Sequence, residues 1–406
     1  VHSRPVDFVN RDGHRLSARL DEPLGQTRAH ALFAHCFTCS KNLNAVRQVS
    51  RELADAGIAV VRFDFTGLGQ SGGDFADTNF SSNLEDLIDA AAMMERELAA
   101  PSLLVGHSLG GAAVLRVASE LESVAAVATI GAPSEPTHVQ KLLRPALPEL
   151  QRQGIAQVEL AGRTFAVKQQ FLDDLEEHAM VESVGRLGAA LLVMHAPQDA
   201  TVGIDNAASI FKAAKHPKSF VSLDTADHML SKVEDAVYVG KAIASWADRY
   251  LPAAPPAPVD ERWPALIQGP QRRFVTTMYI EGHTVLGDEP KPMGGDELAP
   301  SPYGYLLGAL GECTAMTLRI YADRKKIPLL RADVRLSHGR VHAKDSDAVE
   351  GKAKMEVIER EITLIGDELT PEQRQRLLTI ADKCPVHRTL TGELHVQTRL
   401  TEPESR

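Results

Sequence analysis

Ser108 stands in Gly106-His107-Ser108-Leu109-Gly110, a G-x-S-x-G pattern. It follows the apolar run Leu103-Leu104-Val105 and precedes the helix-forming run Ala112-Ala113-Val114-Leu115-Arg116. Strand, sharp turn with serine at its tip, then helix is a nucleophile elbow. The glycines are required because strand and helix crowd together around a strained serine backbone. Glycine-rich strand-to-helix turns also serve nucleotide sites, so the reading depends on partners. A serine hydroxyl needs a base to take its proton and an acid to hold the base in the right tautomer. Asp199 comes just past the apolar run that ends at His195, where open α/β sheets place ligands, and His228 comes after the run Phe220 to Leu223. With His228 as base, Asp199 as orienting acid and the backbone N–H groups of Phe37 and Leu109 as oxyanion donors, the set performs acyl transfer. Asp205 and Asp227 are rival acids. His35, His107 and His195 lie on or beside buried strands and are expected to be packed and hydrogen-bonded rather than catalytic.

The four cysteines fall into two pairs. Cys36-x-x-Cys39 has redox spacing but is expected to be two small apolar residues. It lacks the second pair that a zinc site needs, and neither a metal nor a cofactor is expected. Cys313 shares a helical stripe with Leu306, Leu310, Thr317 and Ile320, while Cys384 continues the stripe Leu377, Ile380, Ala381 and ends it before Pro385. Two such stripes packed together bring the sulfurs toward bonding range. A helix C-terminus disfavours thiolate at Cys384, so Cys313 is expected to be the better nucleophile if a guanidinium is near.

These residues need a frame. Val6 to Val9 and Leu16 to Leu20 alternate around the turn Asn10-Arg11-Asp12-Gly13, which predicts an antiparallel start. The runs Ala29–Ala34, Ile58–Phe63, Leu103–Val105, Val124–Ile130, Ala189–His195 and Ser219–Leu223 predict buried strands. Helical patterns lie between most of them, over Leu43–Ala56, Leu84–Leu98, Asn206–Ala214 and Asp235–Tyr250. Strands and helices in alternation predict a mainly parallel sheet covered on both faces. The rhythm breaks over about 134–187, which is expected to form a small cap over Ser108. Leu142, Leu143, Leu147, Phe165 and Phe171 in it suggest an apolar site for short to medium acyl chains.

Leu251 to Val259 carries four prolines in nine residues, which marks a linker over 251–264 between a first domain, 1–250, and a second, 265–406. The second has strands at Phe274–Ile280, Ala332–Leu336, Met355–Leu364 and the alternating Leu394, Val396, Thr398, Leu400. Its helices cover about Pro302–Arg324 and a stretch that starts at the capping box Thr370-Pro371-Glu372-Gln373. Strands with two helices predict an α+β domain.

At 406 residues the chain is long for one core. Its net charge of −10 argues against nucleic acid as a partner. No apolar run approaches the roughly 18 residues of a membrane span. Val1 to Asp7 holds no signal-peptide core and the cysteines are too few for a secreted disulfide scaffold, so the cytoplasm is the expected compartment.

Elbow, acid, base and the His35-Cys36-Phe37 loop together resemble the α/β-hydrolase family over roughly 1–250. Cys36 departs from the family's usual glycine; a backbone donor does not depend on that side chain. Gly294-Gly295, Ser301-Pro302-Tyr303, Ala309 to Leu318 around Cys313, and Ala381 to Arg388 around Cys384 resemble the OsmC/Ohr family of thiol-dependent organic hydroperoxide reductases over about 265–402. The second resemblance implies that Cys313 is the peroxidatic and Cys384 the resolving cysteine of an intertwined homodimer. It also implies an activating arginine, for which Arg272 and Arg273 are candidates, and a carboxylate at the start of the cysteine helix. Tyr303 and Gly304 stand where that carboxylate is often found, and Glu312 is the substitute. The order of hydrolase, proline linker and OsmC-like domain resembles a group of bacterial bifunctional proteins, which names no substrate; the expected reading is a serine esterase acting on a small acyl ester, joined to a domain that takes an organic hydroperoxide and a dithiol reductant and holds the chain as a homodimer or higher homo-oligomer. The alternatives are perhydrolysis at Ser108, a second domain that only dimerises, and a ligand-binding scaffold without catalysis.

Overall fold

Six of the apolar runs become the parallel strands of one eight-stranded sheet. The computed structural model describes residues 1–36, 39–160, 163–176, 180–256, 261–269, 274–342 and 354–402. In chain order the elements are β1 (His2–Pro5), β2 (Phe8–Val9), β3 (Arg15–Leu16), β4 (Ala18–Glu22), β5 (Ala29–Ala34), α1 (Asn44–Asp55), β6 (Ile58–Phe63), α2 (Phe80–Glu97), β7 (Leu103–His107), α3 (Leu109–Val117) and β8 (Ala126–Ile130). They continue with α4 (Gln140–Leu143), α5 (Leu147–Gln153), β9 (Ile155–Leu160), β10 (Arg163–Lys168), α6 (Gln169–Glu176), α7 (Met180–Gly185), β11 (Ala190–His195), α8 (Asp205–Ala213), β12 (Lys218–Ser222) and α9 (Val233–Ala247). The strand order is β1-β4-β6-β5-β7-β8-β11-β12, with β1 and β4 antiparallel at one edge. The turn at Asn10 joins a separate short hairpin of β2 and β3.

Because successive strand residues face opposite ways, the sheet divides its side chains between two cores. Val61, Leu104, Val127, Leu191 and Val193 pack with α2 and α3 residues such as Leu87 and Leu115. Val60, Leu103, Val105, Leu192 and Met194 pack with Val49 of α1 and Val239 and Ile243 of α9. Covered on both faces, these strands are apolar throughout rather than alternating. The parallel strands all end on one side, and the loops after β5, β7, β11 and β12 gather there.

The expected cap is an insertion between β8 and β11, made of α4 to α7 and the hairpin β9–β10. Leu143 and Phe171 are fully packed in the first core and fasten the insertion to the sheet layer, with Leu147 and Phe165 partly buried against them. They therefore hold the cap rather than line an open site; the side chain of Leu142 lies outside the described residues.

Contacts divide the chain into Val1–Ala257 and Pro258–Arg406. The second unit has β13 (Ala265–Gln268), β14 (Thr276–Ile280), β15 (His283–Gly287), α10 (Pro302–Lys325), β16 (Arg331–His342), β17 (Lys354–Ile365), α11 (Pro371–Ala381) and α12 (Pro385–Thr391). β13, β14 and β15 form one antiparallel sheet and β16 with β17 another. Leu318 and Ala322 of α10 meet Leu377, Ile380 and Ala381 of α11 in its core.

Two sequence expectations fail here. The buried line of α10 is Leu310, Thr314, Leu318, Ala322, while Ile320 is 68% exposed. This helix is apolar on more than one face, so spacing alone cannot choose the inner one. The alternating Leu394 to Leu400 is not a strand: 393–402 has no regular structure and Leu400 is 98% exposed. Alternation needs a neighbouring edge to become a strand, and among the described residues none is paired with it. Among the described residues no helix is long and apolar enough to cross a membrane.

Candidate active site

The chain reverses between β7 and α3 at Ser108, whose φ of 55° and ψ of −125° lie where few non-glycine residues settle. Two glycines make this turn fit. A side chain at Gly106 would strike the Gly110 carbonyl and Gly111, and one at Gly110 would strike the carbonyls of Ala34 and His35. The start of α3 is thereby pressed against the loop that leaves β5. Ser108 N–H donates to Ile130 O (2.9 Å), which ties the elbow to the neighbouring strand.

His228 comes from the loop after β12 and Asp199 from the turn after β11. His228 Nε2 is 3.0 Å from Ser108 Oγ, and Nδ1 is 2.6 Å from Asp199 Oδ2. Asp199 Oδ1 accepts from the N–H groups of Thr201 and Val202, each at 2.8 Å. Burial alone would raise the Asp199 carboxyl, but the His228 ring and these two amides outweigh it and hold it below its ordinary value. Asp199 is therefore ionised and points at the His228 ring. Of its rivals, Asp205 lies in the first turn of α8 and Asp227 accepts from Ser231 N–H at 3.0 Å. Gly131, at the end of β8 with φ of +56°, leaves the imidazole room: a Cβ there would lie 3.2 Å from His228 Nδ1 and 3.3 Å from Asp199 Oδ2.

Leu109 is the first residue of α3, so its N–H is one of the helix-start amides that have no partner within the helix. The other expected donor, Phe37, lies outside the described residues. His35 Nδ1 is 2.9 Å from the Cys36 carbonyl, and Lys41, 1% exposed, gives its N–H and its ammonium to Asp64 at 2.6 Å each. Lys41 Nζ also reaches Gln70 Oε1 (3.0 Å). This buried pair was missed in the sequence; its only signal is a carboxylate directly after the apolar run of β6. Cys36 and Cys39 are joined as a disulfide, with Cα atoms 5.3 Å apart, and are not two independent apolar residues. Leu109, Gly110, Ala113, Cys36, Phe65 and Phe80 line a small apolar cavity beside the elbow.

In the second unit Cys313 and Cys384 are free thiols. Cys313 is half-buried and Cys384 fully buried. Cys384 does not end a helix: α11 stops at Ala381, and Cys384 caps the start of α12, where its Sγ accepts from His387 N–H (3.2 Å). Pro385 causes this, since proline closes one helix and opens the next. The expected dipole argument against a Cys384 thiolate is therefore reversed. Burial raises this thiol, but His387 N–H, Thr314, the Cys313 thiol and the Arg360 guanidinium outweigh it and lower it. Arg360 Nη1 donates to Thr314 Oγ1 (3.0 Å), which stands 3.7 Å from Cys384 Sγ, and Nη2 donates to Asp382 (2.6 Å). Arg272 and Arg273 lie outside the described residues. Arg360 was legible as the one charge in the register Ile358, Arg360, Ile362, Leu364, the inward face of β17.

Comparison with known proteins agrees with both halves. A profile of the alpha/beta hydrolase family matches residues 31–314, and one of OsmC-like proteins matches 294–399. The chain is 52% identical to the esterase domain of a Rhodothermus marinus protein, over 62% of this chain and 99% of that one, at a TM-score of 0.53. The alpha/beta hydrolase GrgF from a Penicillium species is 16% identical, covering 62% of this chain and 99% of that one at a TM-score of 0.52. Mouse alpha/beta hydrolase domain-containing protein 10 is 18% identical, covering 61% and 99% at 0.52. The last two share the fold alone. No curated protein matches the chain.

Proposed function

The chain belongs to the alpha/beta hydrolase family and carries an OsmC-like region, and on that premise we propose that its first unit is a serine esterase. The observation that carries this is the hydrogen-bonded series Ser108 Oγ, His228 Nε2, His228 Nδ1, Asp199 Oδ2, at 3.0 and 2.6 Å. Ser108 Oγ attacks the ester carbonyl while His228 takes its proton. The N–H groups of Leu109 and Phe37 hold the oxyanion, and His228 returns the proton to the departing alcohol. Water then follows the same path to free the acid. Ionised Asp199 keeps the proton of neutral His228 on Nδ1 and stabilises the imidazolium. The small apolar cavity beside the elbow, lined by Leu109, Ala113, Phe65 and Phe80, supports short acyl chains. A fluorophosphonate probe followed by intact mass tests the assignment: one adduct on the wild type and none on Ser108→Ala is expected, and a folded wild type without adduct overturns it.

In the second unit we assign a thiol peroxidase pair. The Cys313 thiolate attacks an organic hydroperoxide, forming a sulfenic acid and releasing the alcohol. The Cys384 thiolate displaces hydroxide, forming the disulfide that a dithiol reductant then opens. The lowered Cys384 thiol suits that second step. Hydroperoxide consumption with a dithiol should stop in Cys313→Ser and leave ester cleavage intact; a wild type that consumes none with any dithiol rules the assignment out. Met316 and Ile320 on α10, 56% and 68% exposed, support self-association through this unit. Light scattering on the full chain should give at least twice its 44.0 kDa mass.

A further inference from the structure

Two imidazoles with no part in this scheme end the strands that present Ser108 and Asp199. His107 is the last residue of β7, is 2% exposed, and its Nε2 lies 2.7 Å from the carbonyl oxygen of His228. His195 is the last residue of β11, is 0% exposed, and its Nε2 lies 2.7 Å from the carbonyl oxygen of Val202. A carbonyl only accepts, so each ring carries its hydrogen on Nε2. The Nδ1 atom of each is buried without a hydrogen-bond partner among the described residues.

We infer that His107 and His195 are positioning residues, the first for the base's loop and the second for the acid's loop. The inference rests on the esterase reading. His228 sits on a surface loop with positive φ at Asp224 and Leu230, a backbone that its own propensities do not fix. Its carbonyl is held from below by a ring on a central strand. Asp199 is oriented by the N–H of Val202, and the carbonyl of that same residue is held by His195. The bonds form a circuit: β7 through His107 to His228, His228 to Asp199, Asp199 to Val202, and Val202 through His195 to β11. Strand β8, paired with both β7 and β11, closes it. A rigid sheet thus sets where two loop-borne side chains stand, by gripping their backbones.

The test compares side chains that keep or lose the donor. His107→Leu removes it, His107→Gln places an amide N–H near the former Nε2, and His107→Asn is too short to reach; the same three changes apply at His195. Leu and Asn should lower kcat on the order of 10²-fold with KM within about twofold, because a misplacement of about 1 Å costs that much. Gln should recover most of the rate, and the rate of phosphonate labelling at Ser108 should follow kcat. Thermal melts identify variants that fold. Folded Leu and Asn variants with wild-type kcat overturn the inference, as does a folded Gln variant as impaired as Asn. A folded wild type inert toward both ester and phosphonate overturns the esterase reading, and this inference with it.

Discussion

Replacing Asp199 by asparagine isolates what its charge contributes. The substitution preserves shape, and Oδ1 still accepts from Thr201 and Val202 at 2.8 Å, so the turn after β11 stays in place. The atom facing His228 Nδ1, now 2.6 Å from a carboxylate oxygen, becomes an amide nitrogen that donates. Nδ1 must then accept, so the imidazole proton moves to Nε2, the atom 3.0 Å from Ser108 Oγ. A ring that donates to the serine cannot take its proton. The wrong tautomer and the loss of a counter-charge for imidazolium cost about 10⁴ in kcat in serine hydrolases of this type, or about 5 kcal/mol at about 1.4 per decade. KM for a short-chain p-nitrophenyl ester should stay within about threefold, since the ground state is untouched. Asp227→Asn, which alters only a cap on Ser231, should keep kcat within about threefold. Stopped-flow or steady-state release of nitrophenolate reads both. An Asp199→Asn enzyme within tenfold of wild type, or an Asp227→Asn loss of similar size, refutes the reasoning.

Three further outcomes are expected. His107 is held neutral, its pKa pushed down from 6.5 to about 4 by burial and by the His228 ring. Between those values the unfolded chain binds the extra proton, so stability falls as pH drops from about 6.5 to about 4, by about 3 kcal/mol. Asp199, depressed instead, adds its own loss only as pH falls through a folded value below the ordinary carboxylate range. Urea midpoints over that range should show a steeper slope in wild type than in His107→Leu. Gly131→Ala should cost about 1–2 kcal/mol through its φ of +56°. It should also lower kcat about tenfold by crowding His228, read from a melt and an ester assay. In a Cys313→Ser background, ultraviolet thiolate absorbance should place the Cys384 titration at higher pH in Arg360→Met than with Arg360 kept.

Much of the first unit was legible because its signals are redundant. The run of β5 is bounded at Ala29 and Ala34, and that of β6 at Ile58 and Phe63, by turn residues and by burial on both faces, so their limits emerge as read. The capping box at Thr370 and Gln373 likewise forms as spelled out, with both reciprocal bonds present. What escaped reading depends on local backbone geometry or on neighbours distant in sequence. Spacing cannot say that Pro385 ends one helix by starting another, nor which apolar face of α10 turns inward, and the redox spacing of Cys36 and Cys39 does not by itself decide between a bonded pair and two packed thiols. The Ser108, Asp199 and His228 positions could be picked out because each follows a strand of one parallel sheet. The buried His107, His195 and Lys41 with Asp64 in the first unit, and Arg360 beside Thr314 in the second, are polar groups in apolar settings whose partners only the fold reveals.

The insertion between β8 and β11 departs from one strand and rejoins the next, and those two strands are direct neighbours, Ala126 beside Ala190 through Ile130 beside Met194. Because the strands are parallel, its two roots lie at opposite ends of them, at Ile130 and Ala190, and the sheet itself fixes them about 14 Å apart whatever length of chain lies between. Closing such a loop costs only about 0.6 kcal/mol more for each doubling of its length. The insertion is thus a replaceable cassette: trimmed, lengthened or exchanged, it leaves its attachment points, and the strands that carry Ser108 and Asp199, in place. A foreign segment grafted at Ala132 and Ala189 would leave the catalytic strands untouched, so a change in which esters are cleaved would be traced to the insertion alone.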